Sequence, residues 1–559
     1  MCLNRILGYT TDMNIYFSGI GGVGIGPLAE IALDAGHHVV GSDQGASAMS
    51  RQLEGRGVDI SSDQDGEFLA TQHAKTPFDW FIYTAALPSN HPELVKAKEL
   101  GIRVGKRDEL LVELLREHNL KLVAISGTHG KTTTTGMMIW TFKQLGVPVS
   151  YAVGTTLSFG PSGVYDPASE YFVYECDEFD RNMLKFEPYL SVLTTIGYDH
   201  SDTYASPDDY LAAFSEFVGQ SGHSIGWKTD LAKLSSKSSS TWQLADDEVL
   251  ALPLPGMLSR RNATLVAKAC EYLGLGDAAS ALASFPGTNR RFEKLAENLY
   301  SDYAHHPDEI AATLQMAREI SDHVVVVYQP HQNIRQHEVR DQYTDCFELA
   351  EEVFWLPTYQ SREDPALEVL TPQQLSSKLT NAASVKLADL DNALWDEIQR
   401  KRDEDKLVLC MGAGSIDAWL RENMSIGKVG SVIVIDTDNN FVLQQRDDKP
   451  TISFPGTITG FGGAIENDES LREGAARELA EETNLDFDTA ELEYCGTFYQ
   501  TGTLDGKPRM VSYYVLRDAD TSNIEVYEGQ GAAKIPLSAD TSVYNLAPSV
   551  PEALARLTK

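Results

Sequence analysis

Two stretches of this sequence have residue types and spacing suited to phosphate chemistry. In the first, Gly127-Thr128-His129-Gly130-Lys131-Thr132-Thr133 follows the apolar run Lys121 to Ser126 and leads into a helical segment. Glycines let successive backbone N–H groups turn toward phosphate oxygens, a lysine ammonium bridges terminal phosphates, and a hydroxyl at the position of Thr132 can hold magnesium. These seven residues are therefore expected to bind ATP. The loop is a variant, because position 125 is Ile where the common G-x-x-x-x-G-K-[ST] pattern has Gly. In the second, Gly463-x5-Glu469-x7-Arg477-Glu478-Leu479-x-Glu481-Glu482-x-Asn484-Leu485 places Glu478, Glu481 and Glu482 at i, i+3 and i+4, on one face of a helix. Three carboxylates so close repel one another. A divalent cation would remove that cost and supply a Lewis acid for hydrolysing a pyrophosphate. The plainer reading of Arg477 to Glu482 alone is a solvated acidic face; the spacing to Gly463 and Glu469 favours the metal site.

Such side chains need rigid elements beneath them. Asn14 to Gly19 reads as a strand, Gly19-Ile-Gly21-Gly22-Val-Gly24 as a glycine turn, Pro27 to Ala35 as a helix, and His38 to Val40 as the next strand, ending in Gly41-Ser42-Asp43. That is the order of a dinucleotide-binding unit, although such glycines also serve close helix packing alone. Lys121 to Ser126 starts a second α/β block. A third follows Phe285, with strands at His323 to Tyr328, Glu352 to Leu356 and Lys406 to Met411, and closes near Asn423. Gly430 to Arg446, folded around Asp438-Asn439-Asn440, opens a separate domain as strand, turn and strand. Ser470 and Glu473 form an S-x-x-E capping box, which predicts a helix from about Leu471 through Leu485. Asn484 then falls where a left-handed helix end would use Gly or, next best, Asn.

A chain of 559 residues calls for three or four domains. A formal charge of −35 repels nucleic acid, and no local basic patch offsets it. No apolar run approaches the ~18 residues needed to span a bilayer. Met1 to Asp12 lacks the apolar core of a secretory leader, and Met13 is an alternative start. Cys2, Cys176, Cys270, Cys346, Cys410 and Cys495 have no C-x-x-C spacing and read as reduced thiols. Together these features predict a cytoplasmic protein without nucleic-acid or membrane partners.

A series of segments across residues 13 to 423 resembles the Mur ligase family. In order they are GIGGVGIGPLA, TAALPSNHPE (Thr84 to Glu93), the GTHGKTTT loop, ECDEFD (Glu175 to Asp180), TTIGYDHSDTY (Thr194 to Tyr204), RRNA (Arg260 to Ala263), GTNRRFE (Gly287 to Glu293), DYAHHP (Asp302 to Pro307) and MGAGSI (Met411 to Ile416). The resemblance implies an α/β chain of three domains: a Rossmann-like UDP-substrate domain at 13–112, a P-loop-type ATPase domain at 113–284 and a Rossmann-like domain at 285–425. It implies magnesium ligation by Thr132, Glu175 and His200. Asn262, Arg291 and Asp302 would lie at the ATP, Arg291 among the catalytic residues with Lys131. Gly21, Gly22, Ser42 and Asp43 would line the uridine diphosphate, which displaces the dinucleotide reading. His305, His306 and Arg335 would place the amino-acid substrate. Pro307 suggests a helix N1 position beside the two histidines. Gln332 stands where family members often carry a second arginine.

The resemblance is to the branch that joins L-alanine to UDP-N-acetylmuramate with ATP and Mg2+, by way of an acyl phosphate. The alternative branch adds a recycled tripeptide. The segment from Gly463 to Leu485 is similar to the Nudix box at every position except Asn484. It implies an α/β/α Nudix domain at 428–559, in which Glu478, Glu481 and Glu482 hold Mg2+ and the catalytic pair is Glu481 and Glu482. Its ligand would be a nucleoside diphosphate derivative. The other reading is a nucleotide-binding regulatory module.

Overall fold

The structure is a computed structural model, and it describes residues 12–84, 87–199, 203–235, 240–361, 363–466 and 469–558. These residues form two compact units, one ending at Arg291 and the other beginning at Phe292.

The first unit contains two sheets. In the N-terminal one, five parallel strands run in the order Asp59–Ser61, His38–Ser42, Asn14–Ser18, Trp80–Tyr83 and Arg103–Lys106. The strand Asn14–Ser18 is apolar because both faces are covered, and Ile15, Tyr16 and Phe17 are fully buried. The second sheet has seven strands, in the order Thr241–Leu244, His223–Trp227, Leu190–Leu193, Lys121–Ser126, Tyr171–Glu175, Ser150–Ala152 and Gly163–Val164. Its strands are parallel except for Gly163–Val164, which runs antiparallel to its neighbour. The loop at Gly127 and the acidic segment at Glu175 therefore leave neighbouring strands at the same carboxyl edge, where open α/β sheets bind ligands.

In the second unit, a six-stranded sheet carries the order Glu293–Ala296, Leu299–Asp302, Leu407–Met411, Val324–Tyr328, Glu352–Trp355 and Val385–Leu387, parallel apart from its first hairpin. The remaining sheet is mixed. The long strands Gly427–Asp436 and Arg509–Ala519 pair in parallel at its centre, and the helix Leu471–Glu482 covers one face. Strand–turn–strand around Asp438 to Asn440 appears as Gly427–Asp436 followed by Asn440–Gln445, with Asn439 taking the left-handed turn position at φ 59°.

The helix expected to run to Leu485 ends at Glu482. Thr483 is extended (φ −140°, ψ 165°), and Asn484 does not adopt a left-handed conformation. The Asn484 amide instead pairs with passing backbone: it donates to the Asn523 carbonyl at 3.0 Å and accepts from the Glu525 N–H at 2.8 Å. A side chain that can both donate and accept serves this bridge, and a glycine there could not make it.

Candidate functional site

The phosphate loop is held in shape before any ligand arrives. Gly127 sits at φ 137°, and a Cβ there would lie 2.3 Å from the Thr194 hydroxyl. Gly130, at φ 86°, caps the helix Lys131–Gln144, whose N-terminus points its free N–H groups at the loop. The His129 N–H donates to Thr195 Oγ1 at 3.0 Å, and the Thr128 hydroxyl is bonded to the Gly197 carbonyl and the Tyr210 hydroxyl. Thr133 is half-buried on the first helical turn. The Asn262 amide lies about 3 Å from where a Gly130 Cβ would stand, and its buried Oδ1 has no partner among the described residues.

Lys131 folds back, donating to the carbonyls of Gly127 and Thr128 and pairing with Glu178 at 2.8 Å. Burial works against its charge, but the Glu178 carboxylate outweighs that and holds the ammonium above its ordinary range. Thr132 donates to Glu175 Oε1 at 2.6 Å, while Glu175 Oε2 accepts from the Gly154 N–H at 2.8 Å. Two hard oxygens thus sit side by side at the mouth of a phosphate loop, which suits Mg2+. His200 lies outside the described residues.

A cleft next to this pair is lined by Val23, Gly24, Pro27, Arg107, Gly154, Glu175 and Asp177. Arg107 pairs with Asp177. Gly24 leaves room for Arg107, whose guanidinium lies 2.6 Å from where a Gly24 Cβ would stand. Sequence reasoning did not single out Arg107, Asp177 or Glu178. The two acids were in plain view inside ECDEFD, and Arg107 ends the strand–helix turn Gly105-Lys106-Arg107.

In the glycine turn of the N-terminal domain, the Gly21 N–H donates to Asp43 Oδ2 at 2.8 Å, so Asp43 braces the turn. Gly22 donates its N–H to the Gly19 carbonyl. Ser42 is fully buried and donates to Glu93, which also takes the hydroxyls of Tyr16 and Ser18. Of the four residues expected at a uridine diphosphate, Ser42 therefore has its hydroxyl committed to the interior.

Arg291 ends the first unit, half-buried, between Arg290 at φ 58° and Phe292 at φ 50°. Asp302 is buried at the end of its strand, where it accepts from the N–H groups of Phe292 and Ala304 at 2.7 Å each. His306 is the N-cap of the helix Pro307–Arg318 and accepts from the Asp308 N–H, with Pro307 at the expected first position. His305 is half-buried against Arg335, with Tyr303 and Glu309 on its Nδ1 side. Burial lowers the His305 imidazole to about 4, keeping it neutral. Arg335 rides on the helix Asn333–Val339, which begins after Gln332 at φ 58°, and Glu363 caps that helix through the N–H groups of Asn333 and Ile334. A non-glycine residue held left-handed is costly and clusters at functional sites.

In the C-terminal domain the three glutamates are not equivalent. Arg477 bonds Glu469, Glu478 and Glu481 together, a counter-ion that the spacing argument did not foresee. Glu482 points inward, 4% exposed, accepting from Gln444 Nε2 and from the Gly462 N–H at 2.9 Å each. Burial, with Glu528 and Glu478 nearby, pushes its carboxyl up to about 7. Burial also raises Glu478. The Glu478 carboxylate lies 2.5 Å from where a Gly463 Cβ would stand, so a side chain at 463 would displace that carboxylate. Burial raises the cost of a carboxylate's charge, a cost that a divalent cation bound by these oxygens would offset.

Residues 14–119 match the catalytic domain of the Mur ligase family, 125–245 the Mur ligase middle domain, 290–414 the Mur ligase glutamate ligase domain, and 427–535 the NUDIX domain. The UDP-N-acetylmuramate–L-alanine ligase of Rhizobium meliloti (strain 1021) is 30% identical over 455 residues, covering 72% of this chain and 95% of its own. That of Renibacterium salmoninarum is 31% identical over 448 residues, with 72% and 93% covered. Among solved structures, the UDP-N-acetylmuramate-alanine ligase of Thermotoga maritima superimposes with a TM-score of 0.58 at 23% identity, over 73% of this chain and 98% of that one. A murein peptide ligase of Psychrobacter arcticus gives 0.51 at 21% identity, over 74% and 98%. This chain belongs to the Mur ligase family and carries a NUDIX domain behind its three ligase domains.

Proposed function

We propose that residues 13–112, 113–284 and 285–425 form an ATP-dependent ligase that joins L-alanine to the lactyl carboxylate of UDP-N-acetylmuramate, and that residues 428–559 hydrolyse a nucleoside diphosphate derivative. The observation that carries the ligase reading is the Thr132–Glu175 contact at the mouth of the phosphate loop, beside a cleft that also contains Gly24 of the glycine turn. The curated relatives at about 30% identity act on the same two substrates by name.

The substrate carboxylate attacks the γ-phosphate of ATP, ADP departs, and the amine displaces phosphate from the acyl phosphate. Charge accumulates on the transferred phosphoryl group, so the protein contributes mainly position and counter-charge. Lys131 exchanges Glu178 for phosphate oxygens. The N–H groups of Gly130, Lys131 and Thr132 face the phosphates, and Asn262 offers its unpartnered Oδ1 to the nucleotide. Thr132, Glu175 and His200 would hold Mg2+, which neutralises the phosphates when bound. Arg107 directs the substrate carboxylate toward the loop. Arg335, backed by neutral His305, pairs with the carboxylate of the amino acid, a fork that arginine offers and lysine does not. In the NUDIX domain Glu478, Glu481 and Glu482 would hold the divalent ion, which polarises the pyrophosphate.

ADP release with UDP-N-acetylmuramate and either L-alanine or L-Ala-D-Glu-diaminopimelate tests the ligase reading. Turnover with alanine supports it; turnover only with tripeptide makes the chain a tripeptide-adding ligase, and turnover with neither overturns the substrate assignment. Magnesium-dependent release of a nucleoside monophosphate, abolished in Glu481→Gln/Glu482→Gln, supports hydrolysis. Nucleotide binding without release makes the NUDIX domain a regulatory module.

A further inference from the structure

The helix Asn392–Asp403 belongs to the third ligase domain, yet two of its carboxylates face the NUDIX domain. Asp396 and Asp403 are seven residues apart, two helical turns, and so share one stripe. Asp396 accepts from the Tyr494 hydroxyl at 2.9 Å, the Thr497 N–H at 2.6 Å and the Arg556 guanidinium at 2.6 Å. Asp403 repeats the arrangement, accepting from the Tyr514 hydroxyl at 2.8 Å and the Arg472 guanidinium at 2.6 Å. Both carboxylates are about nine-tenths buried. A buried carboxylate deprived of its partners is strongly destabilising, so each tyrosine–arginine pair fixes its aspartate in place.

Two further observations agree. Met510, on the central NUDIX strand Arg509–Ala519, is 4% exposed and packs into the apolar cluster of Leu299, Phe354, Trp395 and Leu420 from the ligase domain. Only Ile426 separates the ligase helix Ile416–Ser425 from the NUDIX strand Gly427–Asp436, which leaves no length for a flexible tether. We propose that the helix Asn392–Asp403 is a built docking surface for the NUDIX domain, and that the third ligase domain and the NUDIX domain open and close as one cooperative body. Arg472 is the second residue of the helix that ends in Glu482, so the element bearing the candidate metal ligands is itself bonded to the ligase domain.

Native-state hydrogen exchange of the full chain under rising denaturant tests this. Peptides covering Leu407–Met411 and Arg509–Ala519 should share one denaturant dependence. In Asp396→Asn/Asp403→Asn the two dependences should separate, with exchange in Leu407–Met411 at least about tenfold faster, while Glu397→Gln on the same helix changes neither. If the double variant does not fold, the single variants Asp396→Asn and Asp403→Asn should each show the separation. Different dependences in the unaltered chain, or an unchanged pattern in the variants, would overturn the proposal.

Discussion

Replacing Glu482 by Gln should stabilise the protein in the absence of divalent ions and remove the stabilisation that those ions give. The Glu482 carboxyl is raised from its ordinary 4.5 to about 7, first by burial and then by Glu528 and Glu478. Its folded value lies above its unfolded one, so between those two pH values the folded chain binds more protons than the unfolded. Stability from this group is complete below about 4.5 and declines as pH rises through about 7. Well above pH 7 the ionised group costs on the order of 3 kcal/mol. Glutamine removes that cost but gives up the charge on two hydrogen bonds, from Gln444 and Gly462, worth roughly 1 to 2 kcal/mol together. The net gain at pH 8.5 in EDTA is therefore about 1 to 2 kcal/mol, or roughly 3 to 6 °C in the transition that contains the NUDIX domain. At pH 5 the gain should vanish. Excess Mg2+ should raise the transition of the unaltered protein more at pH 8.5 than at pH 6, because Glu482 must lose its proton to ligate, and should not raise that of the variant. Scanning calorimetry at the two pH values, with EDTA and with Mg2+, measures all of this. A variant equally destabilised at pH 5 and pH 8.5 in EDTA would show that Glu482 carries no burial penalty and is held as an ordinary ion.

Lys131→Ala should cost stability as well as turnover, since it removes the ammonium from the buried Glu178 carboxylate; a loss of up to about 3 kcal/mol is expected. Lys131→Met/Glu178→Gln should recover most of that stability in thermal melts while ATP turnover stays absent. Arg107→Lys should raise the KM for the UDP-linked substrate about 10- to 100-fold and leave ATP affinity unchanged, because a lysine cannot reproduce the guanidinium fork; a change confined to ATP binding would refute the placement. Gly163→Ala should destabilise the first unit by about 1 to 3 kcal/mol, as its Cβ would come within 2.0 Å of the Pro27 carbonyl while its N–H serves Glu30.

Much of this architecture was legible because its signals are local. Apolar runs such as Lys121 to Ser126 are strands buried on both faces, glycine turns open helices, and Ser470 with Glu473 starts the helix where a capping box requires. The end of that helix was not legible. It depends on backbone at Asn523 and Glu525, some forty residues further along, which takes both ends of the Asn484 amide. Ser42 shows the same limit: the family resemblance put it at the uridine diphosphate, while Glu93, brought alongside by the fold, takes its hydroxyl. Arg107 escaped notice, and Arg477, although named within its motif, was not read as a counter-ion, because an arginine in sequence does not show which acids the fold will bring to it.

A chain of charge −35 that takes anionic substrates, as proposed, needs local cations to receive them. Its cations are held where acids await an exchange of partners. Lys131 rests on Glu178, Arg107 on Asp177, and Arg477 on three glutamates. Each pairing keeps a basic group ionised and oriented at a half-buried position, where an unpaired charge would be costly. On the proposed ligase mechanism an incoming phosphate or carboxylate would replace the acid, and the basic group would need little reorganisation. In the NUDIX domain the exchange is reversed, since a divalent ion would displace Arg477 from its glutamates and leave the guanidinium free for the phosphates. The Lys131–Glu178 and Arg107–Asp177 pairs are each neutral while empty, whereas Arg477 balances only one of its three glutamates and leaves the NUDIX cluster an excess of negative charge suited to a divalent cation.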